Sequence, residues 1–200
     1  MSDDRNNLFP VFLKAEELET LIVGGGNVAL EKINALLKSS PLAGITLVAG
    51  TISEPIRALA SSNKKIKLID RNFRVRDLQH KDLVVLATDS PTLHARIRTL
   101  ARKRRLLINV ADTPALCDFY LGSVVTKGNI KIGISTNGKS PTIAKRIREY
   151  FEEILPEETG DLLDNMNKIR DKIKGDFQEK VKVLNEITSG WLHKSNSPEK

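Results

Sequence analysis

The sequence predicts an α/β protein, with a parallel-sheet domain followed by a small β-β-α region and a helical C-terminal region. Three observations predict it. Over the first 112 residues, short apolar runs alternate with amphipathic ones. The first of these runs stops on three glycines, Gly24, Gly25 and Gly26, and a helix-like stretch follows. Beyond residue 156 the apolar residues recur every three or four positions. Alternating strand and helix runs imply parallel strands joined by right-handed crossovers.

The elements follow in order. "TLIVGGG" is a short apolar run closed by glycine, as a buried parallel strand would be. "NVALEKINALLKSS" carries Val28, Ile33, Leu36 and Leu37 at helical spacing. "GITLVAG" is the second strand. "ISEPIRALASS" is a short helix, with Ser53 as its cap and Pro55 in its first turn. "KIKLIDRNF" and "DLVVLATD" are the third and fourth strands. "SPTLHARIRTLARKRR" is a helix opened by Ser90-Pro91, and "LLINVAD" is the fifth strand. The head, "NLFPVFLKAEEL", is expected to pair at a sheet edge, where Phe9-Pro10 is tolerated.

After Asp112 the pattern changes. "DFYLGSVVTKGNIKIGIST" reads as two strands joined by a tight turn at Lys127-Gly128-Asn129. "SPTIAKRIREYFEEIL" is a helix with Ser140 as cap and Pro141 at its first position. Leu162, Met166, Ile169, Ile173, Phe177, Val181, Leu184, Ile187 and Trp191 then make one long stripe, broken near Gly175-Asp176. It packs on the rest of the protein or on a partner subunit. The expected domains are 1–112, 113–155 and 156–192, with 193–200 a disordered tail.

Composition narrows the class. With 40% hydrophobic and 28% charged residues, the chain is expected to be globular. No apolar run reaches the roughly 20 residues that span a bilayer, so no membrane is expected. "MSDDRNNLFP" has no basic or apolar leader region. One cysteine, Cys117, forms no internal disulfide, and three histidines lack ligand-like spacing, so no metal site is expected. All this points to the cytoplasm. The net charge of +7 divides into +10 on residues 1–150 and −3 on residues 151–200. Such a basic excess attracts nucleic acid, anionic lipid or a polycarboxylate ligand, or it is a solvated face. No recognisable DNA-reading element accompanies it, so nucleic acid is not expected as a partner.

Two glycine motifs compete for a nucleotide. "GISTNGKS", Gly133 to Ser140, matches the phosphate-loop pattern. A phosphate loop needs a strand that ends at its first glycine. Here Ile130, Ile132 and Ile134 alternate straight through Gly133, and Pro141 removes an N–H just after Ser140. The match is therefore expected to be fortuitous.

"GGGNVA" has the right setting. Gly24, Gly26 and Ala29 hold the G-x-G-x-x-A places between a strand and a helix, the mark of a Rossmann-type dinucleotide turn. A pyrophosphate would lie against the helix N-terminus, near Gly24, Gly25, Gly26, Asn27 and Val28. The acidic residue that ordinarily ends the second strand is missing, and the sequence there is "LVAGTIS". Gly50 and Thr51, with Ser53, can reach a ribose through backbone and hydroxyl groups. No arginine follows at once to clamp a 2′-phosphate, which favours NAD over NADP.

Taken together, "NLFPVFL", "LIVGGGNVALEKINALL", "VVLATDSPTLHARI", "INVADTPALCDFYLGSVV" and "IGISTNGKSPTIAKRIRE" resemble the precorrin-2 dehydrogenase family, the siroheme synthase proteins. The resemblance covers about residues 7–156. It implies oxidation of precorrin-2 to sirohydrochlorin with NAD, in siroheme biosynthesis. Some members also insert iron, and this chain is expected to lack the methyltransferase part of the fused members. It further implies a homodimer, with residues 113–155 forming dimer interface and substrate cleft.

The resemblance also assigns residues. Asp112 matches the family's important aspartate, which orients the pyrroles or takes a proton. Local sequence offers helix capping by Asp112 or Thr113 as the alternative. Ser135 and Thr136 match a serine-threonine pair at the cleft, and loop capping is their alternative. Thr88 and Asp89 match an A-T-D pattern near the nicotinamide, although Asp89 can equally cap the next helix. Asn109 stands beside the aspartate in the family, and on local grounds it is structural. Cys117 reads as a buried small residue rather than a nucleophile.

Two other classes remain. A glycine-turn domain with a helical tail can be an NAD(H)-sensing regulatory domain without catalysis, but such domains usually keep the acidic residue after strand two. A short-chain dehydrogenase needs Tyr-x-x-x-Lys, and Tyr120 and Tyr150 are followed four residues on by Val124 and Ile154.

Overall fold

The computed structural model describes residues 5–157, 159–173 and 176–189. Its described residues form two compact units. One comprises the chain up to Val124 together with Gly133–Lys145. The other comprises Val125–Ile132 and the chain from Arg146 on.

The first unit is built on five parallel strands: β1 (Glu19–Val23), β2 (Gly44–Ala49), β3 (Ile66–Asp70), β4 (Leu83–Leu86) and β5 (Leu107–Val110). Their order is β3-β2-β1-β4-β5. The crossovers are α1 (Asn27–Ser39), α2 (Glu54–Ser62) and α3 (Pro91–Lys103). Successive side chains of β1 serve opposite faces. Ile22 joins Ile33, Ile45, Leu47 and Ile56 in one buried cluster. Leu21 and Val23 join Val84, Leu86, Ile97 and Ile108 in the other. Burial on both faces explains why these strands read as continuous apolar runs.

The helix starts agree with the sequence reading in part. The Leu93 N–H donates to Ser90 Oγ at 3.3 Å. Ser53 holds the cap position of α2, but its side chain makes no cap hydrogen bond. Its buried hydroxyl has no partner. The expected hydroxyl cap is therefore replaced by Pro55, which needs no partner for a missing N–H.

The head does not pair as an edge strand. Before a short 3-10 turn at Ala15–Glu17 it has no regular structure in the described residues, and Phe9 and Phe12 are exposed. Pro10 removes one ladder donor. The free edge of β5 is already covered by residues 117–119. There the Asp118 N–H donates to the Ile108 carbonyl at 2.7 Å, and the Ile108 N–H donates to Asp118 Oδ2 at 3.1 Å.

Beyond the sheet lie β6 (Ser123–Lys127) and β7 (Ile130–Ile134), a hairpin turned at Gly128, where φ is 53°. Then comes α4 (Pro141–Ile154), in which the Ile143 N–H donates to Ser140 Oγ at 3.2 Å. Gly133 sits inside β7, as the rejection of a phosphate loop requires.

In the second unit, α5 (Thr159–Lys172) and α6 (Phe177–Ser189) follow. Asp176 and Glu179 cap α6 reciprocally, each carboxylate accepting the other's N–H, at 2.9 and 3.2 Å. The stripe is thus split between two helices. Gly175, Trp191 and the expected tail at 193–200 lie outside the described residues, as does the side chain of Leu162.

Candidate functional site

A cavity of about 780 Å³ opens at the carboxyl ends of β1, β2 and β4. It lies where strand order reverses about β1, the place at which open α/β sheets take their ligands. Gly24, Gly25, Gly26, Asn27, Val28, Gly50, Thr51 and Thr88 all line it. These are the eight residues that the sequence assigns to a cofactor.

The glycines have separate tasks. Gly24 has φ +123°, and a Cβ there would stand 2.1 Å from the Ala87 carbonyl oxygen. A Cβ on Gly25 would stand 2.2 Å from the Thr51 carbonyl oxygen. Both positions bring β1 against its neighbours. Gly26 is different, because a Cβ there meets nothing within 4 Å. Its missing side chain leaves open space at the head of α1, of the kind a ligand needs. The first helical bond there runs from the Leu30 N–H to the Gly26 carbonyl, at 3.1 Å. The N–H groups of Asn27, Val28 and Ala29 therefore have no acceptor within the helix. Bare donors and a positive helix end suit a pyrophosphate. The residues present fit a dinucleotide.

Thr88, just past β4, is held from behind. Its Oγ1 is 2.9 Å from Nε2 of His94, which is buried in the first turns of α3. The sequence assigned His94 no part. Asn72, Phe73, Leu93 and Arg96 also line the cavity without having been assigned to it. Arg96 comes from α3 rather than from the end of β2, so the spacing rule for a cofactor clamp does not find it.

Asn109, Asp112, Ser135 and Thr136 are not among the cavity's lining residues. Asp112 is exposed, two residues past β5, with φ 54°. Asparagine and aspartate tolerate this left-handed conformation best after glycine. Neither Asp112 nor Thr113 caps the short turn at Pro114–Leu116 through its side chain. Asn109 is buried, and its amide donates to the Phe119 carbonyl at 2.9 Å. Ser135 Oγ accepts the Asn137 N–H at 3.2 Å. Thr136 Oγ1 donates to the Ser140 carbonyl at 3.1 Å and accepts the Ser140 N–H at 3.3 Å. The loop these residues shape approaches the turn after Asp112, since a Cβ on Gly138 would lie 3.7 Å from the Pro114 ring.

Charge pairs anchor both flanks. Arg98, buried in α3, pairs with Asp118, and this guanidinium holds the Asp118 carboxyl below the usual carboxylate range. Arg71 forks onto Asp77 at 2.8 and 2.6 Å, and Asp77 is held low chiefly by that guanidinium. Burial pushes the Cys117 thiol up. Its sulfur accepts the Val110 N–H at 3.2 Å, so it acts as a packed small residue. Among the described residues no group of three or more His, Cys, Asp or Glu is placed to hold a metal ion. None of their helices is long and apolar enough to cross a membrane.

Comparison with known proteins adds a family. Residues 11–123 match a family described as putative NAD(P)-binding, and residues 127–153 match the sirohaem biosynthesis protein central region. The chain is 37% identical over 185 residues to the siroheme synthase of Psychrobacter cryohalolentis, covering 92% of this chain and 34% of that protein. It is 35% identical over 189 residues to the siroheme synthase of Vesicomyosocius okutanii, covering 93% of this chain and 40% of that protein. The chain thus spans less than half the length of these curated relatives. A solved structure described as SirC, precorrin-2 dehydrogenase, has the same fold, with a TM-score of 0.70 at 24% identity, over 90% of this chain and 89% of that one.

Proposed function

The chain belongs to the putative NAD(P)-binding family, in the arrangement that opens the siroheme synthases, and from that premise we propose that it oxidises precorrin-2 to sirohydrochlorin with NAD in the cytoplasm. The observation that carries the proposal is the cavity at the head of α1, where all eight assigned cofactor residues meet.

When bound there, NAD supplies the acceptor for a hydride. Loss of that hydride and one proton from precorrin-2 leaves sirohydrochlorin, NADH and H⁺. The chain's residues do the rest. The free N–H groups of Asn27 and Val28 bind the pyrophosphate. Thr88, braced by His94, fixes the ring end of the cofactor. Asp112 orients the pyrroles or takes the proton, and its exposure at the carboxyl side of the sheet supports this role. Ser135 and Thr136 shape the cleft loop, and Asn109 holds the segment after Asp112 in place. The carboxylates of the tetrapyrrole suit the net +10 of residues 1–150.

The active form we propose is a homodimer. Ile143, Ile147, Tyr150 and Ile154 are exposed along one face of α4, at the spacing of a packed helix.

The test is to mix the purified chain with precorrin-2 and NAD. Joint appearance of the sirohydrochlorin spectrum and of NADH supports the reading. Tight NAD binding with no turnover of precorrin-2 would favour a nucleotide sensor instead.

A further inference from the structure

The carboxylate that ordinarily reads the adenosine ribose is missing from the end of β2, where Gly50 stands. We infer that Asn72, from the loop after β3, takes over this task and is the residue that sets the choice between NAD and NADP. The inference rests on the cofactor reading above.

Three observations carry it. Asn72 lines the same cavity as Gly50 and Thr51. A Cβ built on Gly50 would lie 2.6 Å from Asn72 Oδ1, so the amide occupies the space a side chain at position 50 would need. The register explains this, because Ala49 pairs with Asp70 and the two chains leave the sheet side by side. Glycine at 50 and an amide at 72 are therefore complementary.

The amide is also presented rather than consumed. Among the described residues its side chain has no hydrogen-bond partner, and it is exposed. Its backbone, by contrast, is fixed. Arg71 Nη1 donates to the Asn72 carbonyl at 3.0 Å while the same guanidinium grips the buried Asp77. Asp77 in turn accepts the Arg74 N–H at 2.7 Å. The loop is clamped on both sides of Asn72, and the amide is left facing the cavity.

The chemistry differs from that of a carboxylate. Oδ1 accepts from a ribose hydroxyl and Nδ2 donates to one. A neutral amide does not repel a 2′-phosphate, so it discriminates against NADP less sharply than a carboxylate would.

Calorimetric titration of NAD, 2′-deoxy-NAD and NADP into the wild type, Asn72→Ala and Asn72→Asp tests the assignment. Asn72→Ala is expected to weaken NAD about three- to tenfold, the worth of one neutral hydrogen bond, and to leave 2′-deoxy-NAD unchanged. Asn72→Asp is expected to widen the preference for NAD over NADP by at least about tenfold. If the wild type binds NAD but Asn72→Ala weakens NAD and 2′-deoxy-NAD alike, or neither, or if Asn72→Asp leaves the preference unchanged, the assignment is overturned alone. If the wild type binds neither dinucleotide, the assignment falls together with the cofactor reading.

Discussion

Thr88 Oγ1 and His94 Nε2 stand 2.9 Å apart, which ties the loop after β4 to the buried side of α3. Thr88 faces the cavity and His94 faces the core. The pair thus couples cofactor contact to helix packing. His94→Phe keeps the bulk and removes the hydrogen bond. It is expected to weaken NAD binding about three- to tenfold, and His94→Gln is expected to recover part of that loss. Titration with NAD measures both.

Gly24 and Gly26 should respond in opposite ways. Gly24→Ala forces a Cβ to within 2.1 Å of a carbonyl oxygen at φ +123°. It is expected to destabilise the fold by about 2–4 kcal/mol. Gly26→Asp meets no neighbour and should fold with near wild-type stability, yet lower NAD affinity at least about tenfold by placing charge and bulk at the pyrophosphate. Chemical denaturation and NAD titration together separate the two effects.

The contrast shows what was legible in the sequence. The G-x-G-x-x-A spacing, the strand order and the Ser90 and Ser140 caps are local, and the residues alone carry them. Gly133 could be placed inside a strand because Ile130, Ile132 and Ile134 alternate through it. What the sequence did not reveal depends on distant partners. The head is apolar enough for a strand, but residues 117–119 already occupy the edge of β5. Asn72 and Arg96 reach the cavity from separate elements, so no motif spacing joins them to the glycine turn. His94 looks like any helix histidine until Thr88 is seen beside it.

Asp112 adopts φ 54°, so its replacement has to respect the backbone. Asp112→Asn keeps a residue that tolerates this conformation. It is expected to leave NAD affinity unchanged and to lower turnover of precorrin-2 about 10²- to 10⁴-fold, the usual worth of a positioned acid or base. Asp112→Ala should lose the same activity and some stability as well. Steady-state turnover beside NAD titration checks this.

Acid should loosen the first unit through its two charge pairs. Asp77 and Asp118 both have carboxyls held low, chiefly by hydrogen bonds from Arg71 and Arg98. A depressed folded-state carboxyl adds stability that is fully present above the unfolded carboxylate range, near pH 4. That stability is lost as pH falls through the lower folded values. Denaturant midpoints should therefore fall steadily below about pH 4. Asp118→Asn should flatten that fall, and an unchanged slope would count against the pair.

The exposed face of α4 is expected to hold two copies together. Ile147→Glu combined with Ile154→Glu puts charge into that face and should shift the chain to a monomer while the sheet keeps its stability. Sedimentation velocity reads the change in mass.

The central claim is that the glycine turn at the head of α1 lays a dinucleotide down with its reactive ring towards Asp112. A crystal structure of the chain with NAD tests it most directly. The account predicts the pyrophosphate over Gly26 and against the N–H groups of Asn27 and Val28, with the nicotinamide turned to the side where Asp112 stands. A nucleotide bound elsewhere, or a nicotinamide facing away from Asp112, would contradict it.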